Sequence, residues 1–345
     1  MPKNILVINS SSDKNYPPTT LFEELGRKNY YLHFWAKKSL LTLLFYALRL
    51  FYYKRKKRID VIICCDWKEK IVLTIAAKLL GLKIIWLENP AYAARGYNAL
   101  GRPLLWLYKF NSRWAKIITF NGLARKQLQE IGIKEDQIKI IQPGVKLSQR
   151  EHQDNIFSGL ARADVKFRRK FFTLGAITEL DKKEGVETLL RAVEICSAVI
   201  PNIQLIVVGD GKERKNLVWL AKKMGIDSIS WFVGEQNHLK KWLDNFDVFI
   251  LTGASPAMID FDNILKAMNE GLPAIGPRGT GLENVVYENK TGVLIENGNS
   301  EMLARQIIKL YQDKRLRLKM GELAKERVKK YFTLERQLEE FEKIL

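Results

Sequence analysis

The sequence predicts an α/β protein of two Rossmann-like domains, each built on a doubly wound parallel sheet. Short apolar runs of strand length alternate with longer helical stretches, a rhythm typical of parallel sheets covered by helices. The rhythm occurs twice, and a polar, highly charged stretch around residues 143–170 interrupts it. With 345 residues, 47% of them hydrophobic, the chain is large enough for two cores.

The expected strands follow in order, with helical stretches between them. In the first half the strand-like runs are 4–9, 60–64, 83–87, 116–120 and 139–141. In the second half they are 171–176, 204–208, 229–232, 248–251, 273–276 and 292–295. We therefore predict an N-terminal domain at residues 1–150, a linker at 151–170 and a C-terminal domain at 171–330. The last segment, 331–345, has helical periodicity and could pack back on the N-terminal domain.

The positive charge of the chain is concentrated in its first half. Residues 1–150 contain 27 Lys and Arg against 10 Asp and Glu, which gives +17 of the total formal charge of +19. A surface of this kind favours an acidic partner. Because the sequence contains no recognised nucleic-acid-binding motif, we expect that partner not to be nucleic acid.

Residues 34–60 suggest a membrane as the acidic partner. Aromatic residues, among them Trp35 and Phe45, are interleaved with leucines, and five cations follow directly: Lys54, Arg55, Lys56, Lys57 and Arg58. An apolar, aromatic helix flanked by cations is typical of an anionic membrane surface. A second stretch, 102–116, could extend this surface with further aromatic and basic residues. Burial in the domain core is the alternative explanation for the leucines, but it leaves the five cations unexplained.

Cysteine and histidine usage indicates a reduced protein without a metal site. The chain has three of each, without metal-type spacing. Cys64 and Cys65 follow an apolar strand and are expected to be buried thiols. The first residues lack the long apolar region of a signal peptide, and the longest apolar run, 39–48, is too short to span a bilayer. We expect a cytoplasmic protein, attached peripherally to the inner face of the cell membrane, with no metal or other cofactor.

Five stretches of the second half occur in the order of a known family. They are GAITELDKKEGVETLLRAV, LIVVGDGKERKNLVWLAKKMGI, ISWFVGE, DVFILTGASP and ILKAMNEGLPAIGPRGTGLENVVYENKTGVLIENG. Together they resemble the C-terminal domain of retaining glycosyltransferases with the two-Rossmann-domain (GT-B) fold, family 4 in particular. The resemblance covers residues 171–335 well and the first half weakly, mainly at 117–145. It implies a nucleotide-diphosphate sugar on the C-terminal domain, an acceptor on the N-terminal domain and a cleft between them.

The resemblance assigns several residues to the donor diphosphate. Gly175 matches the family's first glycine, but Ala176 stands where an arginine is usual. Lys182 and Lys183 lie in a longer loop from which either could reach the phosphates; a solvated, charged turn is the alternative. A glycine-rich loop that lets the backbone approach sugar and phosphates is matched by Gly279 and Gly281.

The family's Glu-x7-Glu element is matched in position, but both glutamates are replaced in this sequence. Lys266 stands where the second glutamate accepts hydrogen bonds from the ribose, and Met258 stands where the first contacts the sugar. Because lysine only donates hydrogen bonds, it cannot replace that glutamate. Nearby polar residues become the candidates. Asp260 is the candidate catalytic carboxylate, and Asp262 and Asn263 are candidates for donor binding.

Lys266 is also unusual in its place on the helix that 261–271 predicts. It lies about one turn inside the helix from Asp262, the expected N-cap, where the helix dipole disfavours a cation. Three explanations are open. Lys266 pairs with Asp262 four residues earlier, or it faces a diphosphate at the helix N-terminus, or the site no longer binds a nucleotide sugar. The first two are compatible with each other.

Glu88 is the candidate in the first half. The family often has a histidine at roughly this place, at the carboxyl end of a parallel strand, where such folds bind ligands. We predict that Glu88 contacts the acceptor or the sugar as a catalytic residue. Its alternative role is that of a loop-capping acid before residues 89–90.

The sequence as a whole predicts a glycosyltransferase. The expected reaction moves a sugar from a nucleotide-diphosphate sugar to a lipid-linked or cell-envelope glycan acceptor, by resemblance with retention of configuration. The alternative is a catalytically degenerate, glycosyltransferase-like partner or scaffold protein, which the lost glutamates and the missing arginine favour.

Overall fold

The chain divides into two structural units. The computed structural model describes residues 4–8, 19–28, 30–35, 40–88, 101–120, 122–147, 171–180, 185–251, 253 and 261–345, with their side chains except those of 19 and 31–48. The first unit comprises Met1–Pro143 and Leu334–Leu345, and the second comprises Gly144–Thr333. The segment from Leu334 to the last residue therefore belongs with the N-terminal half of the chain.

The described part of the first unit contains a sheet of six parallel strands in the order β2-β1-β3-β4-β5-β6. Because the order extends from β1 in both directions, the sheet is doubly wound, as the sequence predicts. In chain order its elements are β1 (Asn4–Ile8), α1 (Thr19–Arg27), β2 (Tyr31–Trp35), α2 (Leu40–Lys57), β3 (Ile59–Cys64), α3 (Trp67–Leu79), β4 (Lys83–Glu88), α4 (Arg102–Ser112), β5 (Lys116–Thr119), α5 (Gly122–Glu130) and β6 (Ile138–Ile140).

The second unit, over its described residues, repeats the architecture with six parallel strands in the order β12-β11-β10-β7-β8-β9. Its elements are β7 (Phe172–Ile177), α6 (Val186–Ser197), β8 (Ile203–Val208), α7 (Arg214–Lys223), β9 (Ser230–Phe232), α8 (Lys240–Leu243), β10 (Val248–Ile250), α9 (Phe261–Asn269), β11 (Ala274–Pro277), β12 (Gly292–Ile295), α10 (Ser300–Gln312) and α11 (Lys314–Tyr331). A last helix, α12 (Leu334–Glu342), returns to the first unit.

The prediction of one helix from residue 34 onward is wrong at its start. Trp35 ends the edge strand β2, where it is paired with Ile8 of β1, and α2 begins only at Leu40. The strand sequence Tyr-Leu-His-Phe-Trp is rich in aromatic residues, which favour strands. Trp35 is therefore not part of the helix that carries the cation cluster.

Alternate residues of the first sheet pack against two different groups of helices. On one face, Leu6, Ile62 and Trp86 belong to a core that includes residues of α2, α3 and α4. Their neighbours Val7 and Ile63 belong to a second core that includes residues of α1 and α12. Because successive side chains of a strand point to opposite sides, these two groups of helices cover opposite faces of the sheet.

Local capping explains where the site-bearing helices begin and end. At the start of α3, the Asp66 side chain accepts the amide of Lys68 over 2.9 Å, and Glu69 accepts the amide of Asp66 over 3.0 Å. This reciprocal capping box satisfies amides that the first turn would leave unpaired. At the end of α9, Gly271 has a φ of +78°, and the Leu272 amide donates to the Ala267 carbonyl. That left-handed cap is the helix end predicted at Gly271.

Helix α12 closes the second face of the first sheet. Phe341 is fully buried, and its ring lies 6.2 Å from that of Phe22 on α1, edge to face. At the end of the chain, Lys83 Nζ of β4 donates to the Leu345 carbonyl over 3.1 Å. The first unit therefore owes part of its core to the last residues of the chain.

We expect Phe341→Ala to destabilise the first unit by about 3–5 kcal/mol, because it removes a buried ring and leaves a cavity. Hydrogen exchange of the β1 and β3 amides should report the loss. The matched control is Glu339→Ala on the exposed side of the same helix, with an expected effect within about 0.5 kcal/mol. Parent-like protection of the β3 amides in Phe341→Ala would contradict this assignment.

Candidate functional site

The second unit brings several loops to one edge of its sheet. Strands β7, β8, β10 and β11 are parallel, so the segments after them leave from their common carboxyl edge. After β8, a Cβ on Gly209 would lie 1.8 Å from the carbonyl oxygen of Thr178, and one on Gly211 would lie 2.4 Å from that of Leu180. These glycines therefore let the loop after β8 pack directly on the backbone after β7.

The loop after β11 directs backbone N–H groups at a carboxylate. Gly279 and Gly281 have φ values of +79° and +89°, a left-handed conformation that favours glycine. Both amides donate to Glu283, with 3.0 Å between Gly281 N and Glu283 Oε2. Buried Thr280 anchors the loop by donating to the Pro277 carbonyl over 2.9 Å. Because its N–H groups converge on a negative group, the loop forms an anion-binding concavity, which Glu283 occupies.

Arg278 stands directly before this loop and was missed by sequence reasoning. Its Nη2 lies 2.6 Å and 2.7 Å from the two carboxylate oxygens of Glu288 and 3.3 Å from the Leu294 carbonyl. The bond to Glu288 raises the pKa of the guanidinium above its already high usual value, so the charge is permanent. An arginine beside a glycine-rich loop was the signal that could have identified it.

Lys266 pairs with Asp262 on α9. Its Nζ lies 2.5 Å from Asp262 Oδ2, and the Lys266 side chain remains 37% exposed. The first of the three explanations for Lys266 is therefore confirmed. An exposed pair of this kind contributes only about 0.3–0.5 kcal/mol to stability, so it can be exchanged for another partner at low cost. Asn263 lies beside the pair in the first turn of α9 and is half-buried.

The structure gives Gly175 a packing role. It lies inside β7 rather than in the loop that follows, paired with Phe249 and Ile206 of the neighbouring strands. A Cβ at this position would lie 1.9 Å from a ring carbon of Phe246. The glycine is thus required for the approach of Phe246 to the sheet, and its contact with a diphosphate stays a prediction. Three other candidates, Lys182, Lys183 and Asp260, lie outside the described residues and stay predictions as well.

In the first unit, Glu88 is held in a buried polar cluster at the carboxyl end of β4. Its side chain is 2% exposed, and its Oε1 lies 2.5 Å from Lys70 Nζ on α3. The Tyr108 hydroxyl on α4 donates to the same oxygen. Lys70 also donates to the Leu87 carbonyl over 2.6 Å. Buried charges of this kind are tolerated when they are paired and hydrogen-bonded.

Sequence reasoning missed both partners of Glu88. Lys70 lies in an apolar helix, 18 positions before Glu88 in the sequence, and Tyr108 lies 20 positions after Glu88. A lysine at a core-facing position of α3 was the available signal, since such a residue is rarely buried without a partner. The cluster gives Glu88 a fixed position at the strand end where a parallel sheet presents its ligands.

The cysteines beside this cluster are buried, as predicted. Burial raises the pKa of the Cys64 and Cys65 thiols well above its ordinary value, and the negative charge of Glu69 adds to the effect. Both are therefore neutral thiols at pH 7 and poor nucleophiles. Within the described residues there is no group of three or more His, Cys, Asp or Glu placed to hold a metal ion. The expectation of a protein without a metal or cofactor stays a prediction.

Four of the five predicted membrane-binding cations lie in the last turn of α2, and Arg58 follows the helix directly. Lys54 donates to the Leu80 carbonyl and is half-buried. The next four cations are exposed: Arg55, Lys56, Lys57 and Arg58. Phe45 lies in α2, where only the backbone is described. None of the helices in the described part of the chain is both long and apolar enough to cross a bilayer.

Comparison with known proteins relates the second half of the chain to glycosyltransferases. Residues 160–327 match the family model of glycosyl transferases group 1. The chain is 29% identical over 154 residues to the lipopolysaccharide core biosynthesis glycosyltransferase LpsE of Rhizobium meliloti, covering 45% of this chain and 44% of LpsE. It is 33% identical over 169 residues to N-acetyl-alpha-D-glucosaminyl L-malate synthase of Bacillus anthracis, covering 49% and 43%. The chain thus spans less than half the length of these two curated relatives.

A solved structure extends the likeness to the whole chain. Anabaena HepE, in a crystal structure with UDP, superposes with a TM-score of 0.79 at 16% identity, covering 99% of each chain. At this identity the likeness shows the fold alone. The protein therefore has the two-domain, Rossmann-like α/β fold known as GT-B, as the sequence predicts.

Removing one partner of the buried Lys70–Glu88 pair should lower the free energy of unfolding strongly, whereas replacing both partners should not. We expect Glu88→Gln and Lys70→Met each to lose about 3 kcal/mol of unfolding free energy, because each leaves one buried charge unpaired. The double variant should be more stable than either single variant, because no unpaired buried charge remains. Denaturant unfolding of the full chain measures all three. Losses that simply add would show that the two charges do not stabilise each other.

Proposed function

We propose that this protein transfers a sugar from a nucleotide-diphosphate sugar to a lipid-linked or cell-envelope glycan acceptor. The observation that carries the proposal is the coincidence of the family match, residues 160–327, with the unit whose sheet edge bears the glycine-rich loop. The relative named for lipopolysaccharide core biosynthesis supports a cell-envelope glycan acceptor. The fold neighbour solved with UDP supports a nucleotide diphosphate as the leaving group.

The donor diphosphate is proposed to take the place of Glu283 in the loop after β11. Gly279 and Gly281 would then donate their amides to phosphate oxygens instead of to the carboxylate. Lys266 and Arg278 stand in half-exposed pairs and are the cations proposed to compensate for Ala176, where the family has an arginine. Lys182 and Lys183, in the segment after β7, are proposed as further phosphate partners.

The proposed chemistry depends on positioning and on stabilising the leaving diphosphate. Charge develops on that group as the bond to the sugar breaks, so amides and cations already aimed at it lower the barrier. Glu88, on the first unit, and Asp260, on the second, are the carboxylates proposed to contact the reacting sugar or the acceptor. Retention of configuration and membership of family 4 are part of the proposal, by resemblance.

A second candidate function has a specific observation in its favour. By resemblance, Lys266 stands where the family has a ribose-binding glutamate, and it is paired with Asp262 within its own helix. A protein that had lost donor binding could keep such a pair. The alternative is therefore a catalytically degenerate partner or scaffold protein that keeps the fold of a glycosyltransferase without its reaction.

The proposed place of action is the cytoplasmic face of the cell membrane. The proposed lipid-linked acceptor would be held in that membrane, and the charge of +17 on residues 1–150 suits an anionic surface. The cations are proposed to bring the first unit to the membrane that holds the acceptor.

Donor binding is tested by thermal unfolding in the presence of nucleotide-diphosphate sugars, since a ligand that binds only the native state must raise its melting temperature. We expect a rise for the parent. Lys266→Ala should weaken donor affinity by about tenfold or more if Lys266 binds a phosphate, because a hydrogen bond to a charged group is lost. Lys266→Glu should abolish binding by repelling the phosphates.

Lys309→Ala on α10 is the matched control and should bind like the parent. Improved binding by Lys266→Glu would instead indicate a site of the family's usual kind that has degenerated. A parent that gains no stability from any nucleotide-diphosphate sugar would favour the scaffold alternative.

The role of Glu88 is tested in the stability-matched background. In Lys70→Met/Glu88→Gln the buried pair is absent, so the loss of stability no longer obscures turnover. We expect sugar transfer to fall by about 100-fold or more while donor binding persists, because general acid–base groups commonly contribute that much. The single variant Glu88→Gln, which leaves Lys70 unpaired, is the destabilised comparison for the double variant. If the double variant recovered sugar transfer as well as stability relative to Glu88→Gln, the role of Glu88 would be purely structural.

A further inference from the structure

Three helices of the first unit form one continuous outer face. The Lys54 ammonium of α2 donates to the Leu80 carbonyl at the end of α3, and Asn111 Nδ2 of α4 lies 2.7 Å from the Ile71 carbonyl of α3. Helix α3 therefore lies between α2 and α4. We use the term basic face for the outward side of α2 from Arg49 onward, α3 and α4.

Large apolar side chains are exposed along all three helices. Leu79 at the end of α3 is 83% exposed, and Trp106 on α4 is 62% exposed. The others are Phe51, Tyr52, Ile75 and Leu104. Sequence reasoning had included α2 and α4 but not α3, whose Leu79 is the most exposed of the set. Exposed apolar residues that share one face indicate an interaction surface.

The charges on this face have a single sign. In the sequence of the three helices the only acid is Glu69, and it is fully buried. The basic residues with described side chains that are not buried are Arg49, Lys54, Arg55, Lys56, Lys57, Lys68, Lys78, Arg102 and Lys109. The two helices on the opposite face of the sheet, α1 and α12, carry six glutamates against two arginines. The first unit is therefore electrically polarised across its sheet.

We propose that the basic face binds the surface of an anionic lipid bilayer, with Leu79, Phe51 and Trp106 entering the interface. The polarity across the sheet gives the contact a direction, because the acidic helices α1 and α12 then face away from the lipid. Each cation near an anionic surface contributes roughly 1 kcal/mol, so a cluster of this size supports stable attachment without a membrane-spanning helix.

On the basic face, cationic groups lie against aromatic rings, an arrangement that suits a membrane surface. The Arg55 guanidinium lies 5.9 Å from the ring centre of Phe51, and the Lys56 ammonium lies 5.3 Å from that of Tyr52. On α4 the rings of Trp106 and Phe110 stack 5.4 Å apart. Apolar bodies carrying charged or polar tips fit a boundary where one side is hydrocarbon and the other is headgroup.

The inference deepens the proposed function by giving a physical surface to the membrane contact, but it does not depend on sugar transfer. Vesicles without donor or acceptor sugar test attachment alone, and transfer to a soluble acceptor tests chemistry alone. Failure of one is therefore distinguishable from failure of the other.

The test is co-sedimentation of the full chain with phosphatidylcholine vesicles that contain increasing shares of phosphatidylglycerol. Binding should rise with the anionic share and fall with salt. Arg55→Gln/Lys56→Gln/Lys57→Gln should weaken partitioning by about 100-fold, since three cations are lost. Lys54 is left in place because it holds the Leu80 carbonyl. Leu79→Ser and Trp106→Ser should each weaken binding by about tenfold and leave its salt dependence unchanged.

Matched controls come from the second unit. Trp219 on α7 is 61% exposed, so Trp219→Ser removes a ring as accessible as that of Trp106. The exposed lysines of α7 provide the charge control, Lys215→Gln/Lys222→Gln/Lys223→Gln. Both controls should bind like the parent.

Three results would overturn the proposal. The parent could fail to sediment with anionic vesicles at low salt. The second-unit controls could weaken binding as much as the variants of the basic face. The chain could self-associate without lipid in a way that Trp106→Ser abolishes, which would make the face an interface between copies.

Discussion

The carboxyl ends of parallel strands meet at one edge of a sheet, and the candidate site depends on this constraint in both units. Glu88 is the last residue of β4, the glycine-rich loop follows β11, and Lys266 lies on the helix after β10. Within the second unit, the loop after β11 and the helix after β10 thus share one edge although they are apart in the sequence, and Glu88 lies at the corresponding edge of the separate sheet of the first unit. The apolar strands that build the two sheets are what give the polar loops their positions.

The charges at these edges fall into two kinds, and the difference follows from burial. Lys70 and Glu88 are almost completely buried, so neither can lose its partner without a large cost, and the carboxylate is held at one point. In the second unit, Lys266 and Arg278 are paired with Asp262 and Glu288 at exposed positions, where a pair contributes little. In the proposed donor complex, those cations would exchange their carboxylate partners for phosphate oxygens at little cost in stability. The same reasoning applies to Glu283, an exposed carboxylate seated on amides that a phosphate could take.

The sequence was sufficient to predict the two doubly wound sheets, because apolar runs of strand length alternate with helical stretches in both halves. It also predicted the helix end at Gly271 and included the pair between Lys266 and Asp262 among three explanations for that lysine, since both features depend on residues within a few positions of each other. Strand β2 was missed because its five residues merge with the aromatic stretch that continues into α2.

Contacts between distant residues could not be predicted from one sequence. The cluster of Lys70, Glu88 and Tyr108 joins a strand and two helices, and the packing of Gly175 against Phe246 depends on the position of a neighbouring loop. The hydrogen bonds from the glycine amides to the Glu283 carboxylate were missed for a different reason. Glu283 is only four positions from Gly279, but the contact depends on the left-handed conformation of two glycines. Glycine can adopt that conformation but is not obliged to, so the sequence alone does not predict it.

The proposed donor site is the loop after β11, whose amides would receive the diphosphate. Hydrogen exchange of the full chain, with and without saturating uridine diphosphate and the other nucleoside diphosphates in turn, tests it most directly. We expect slower exchange of the amides from Gly279 to Glu283 with at least one of these nucleotides, and unchanged exchange in α3 of the first unit. Demonstrated nucleotide binding that leaves these loop amides unprotected would contradict it.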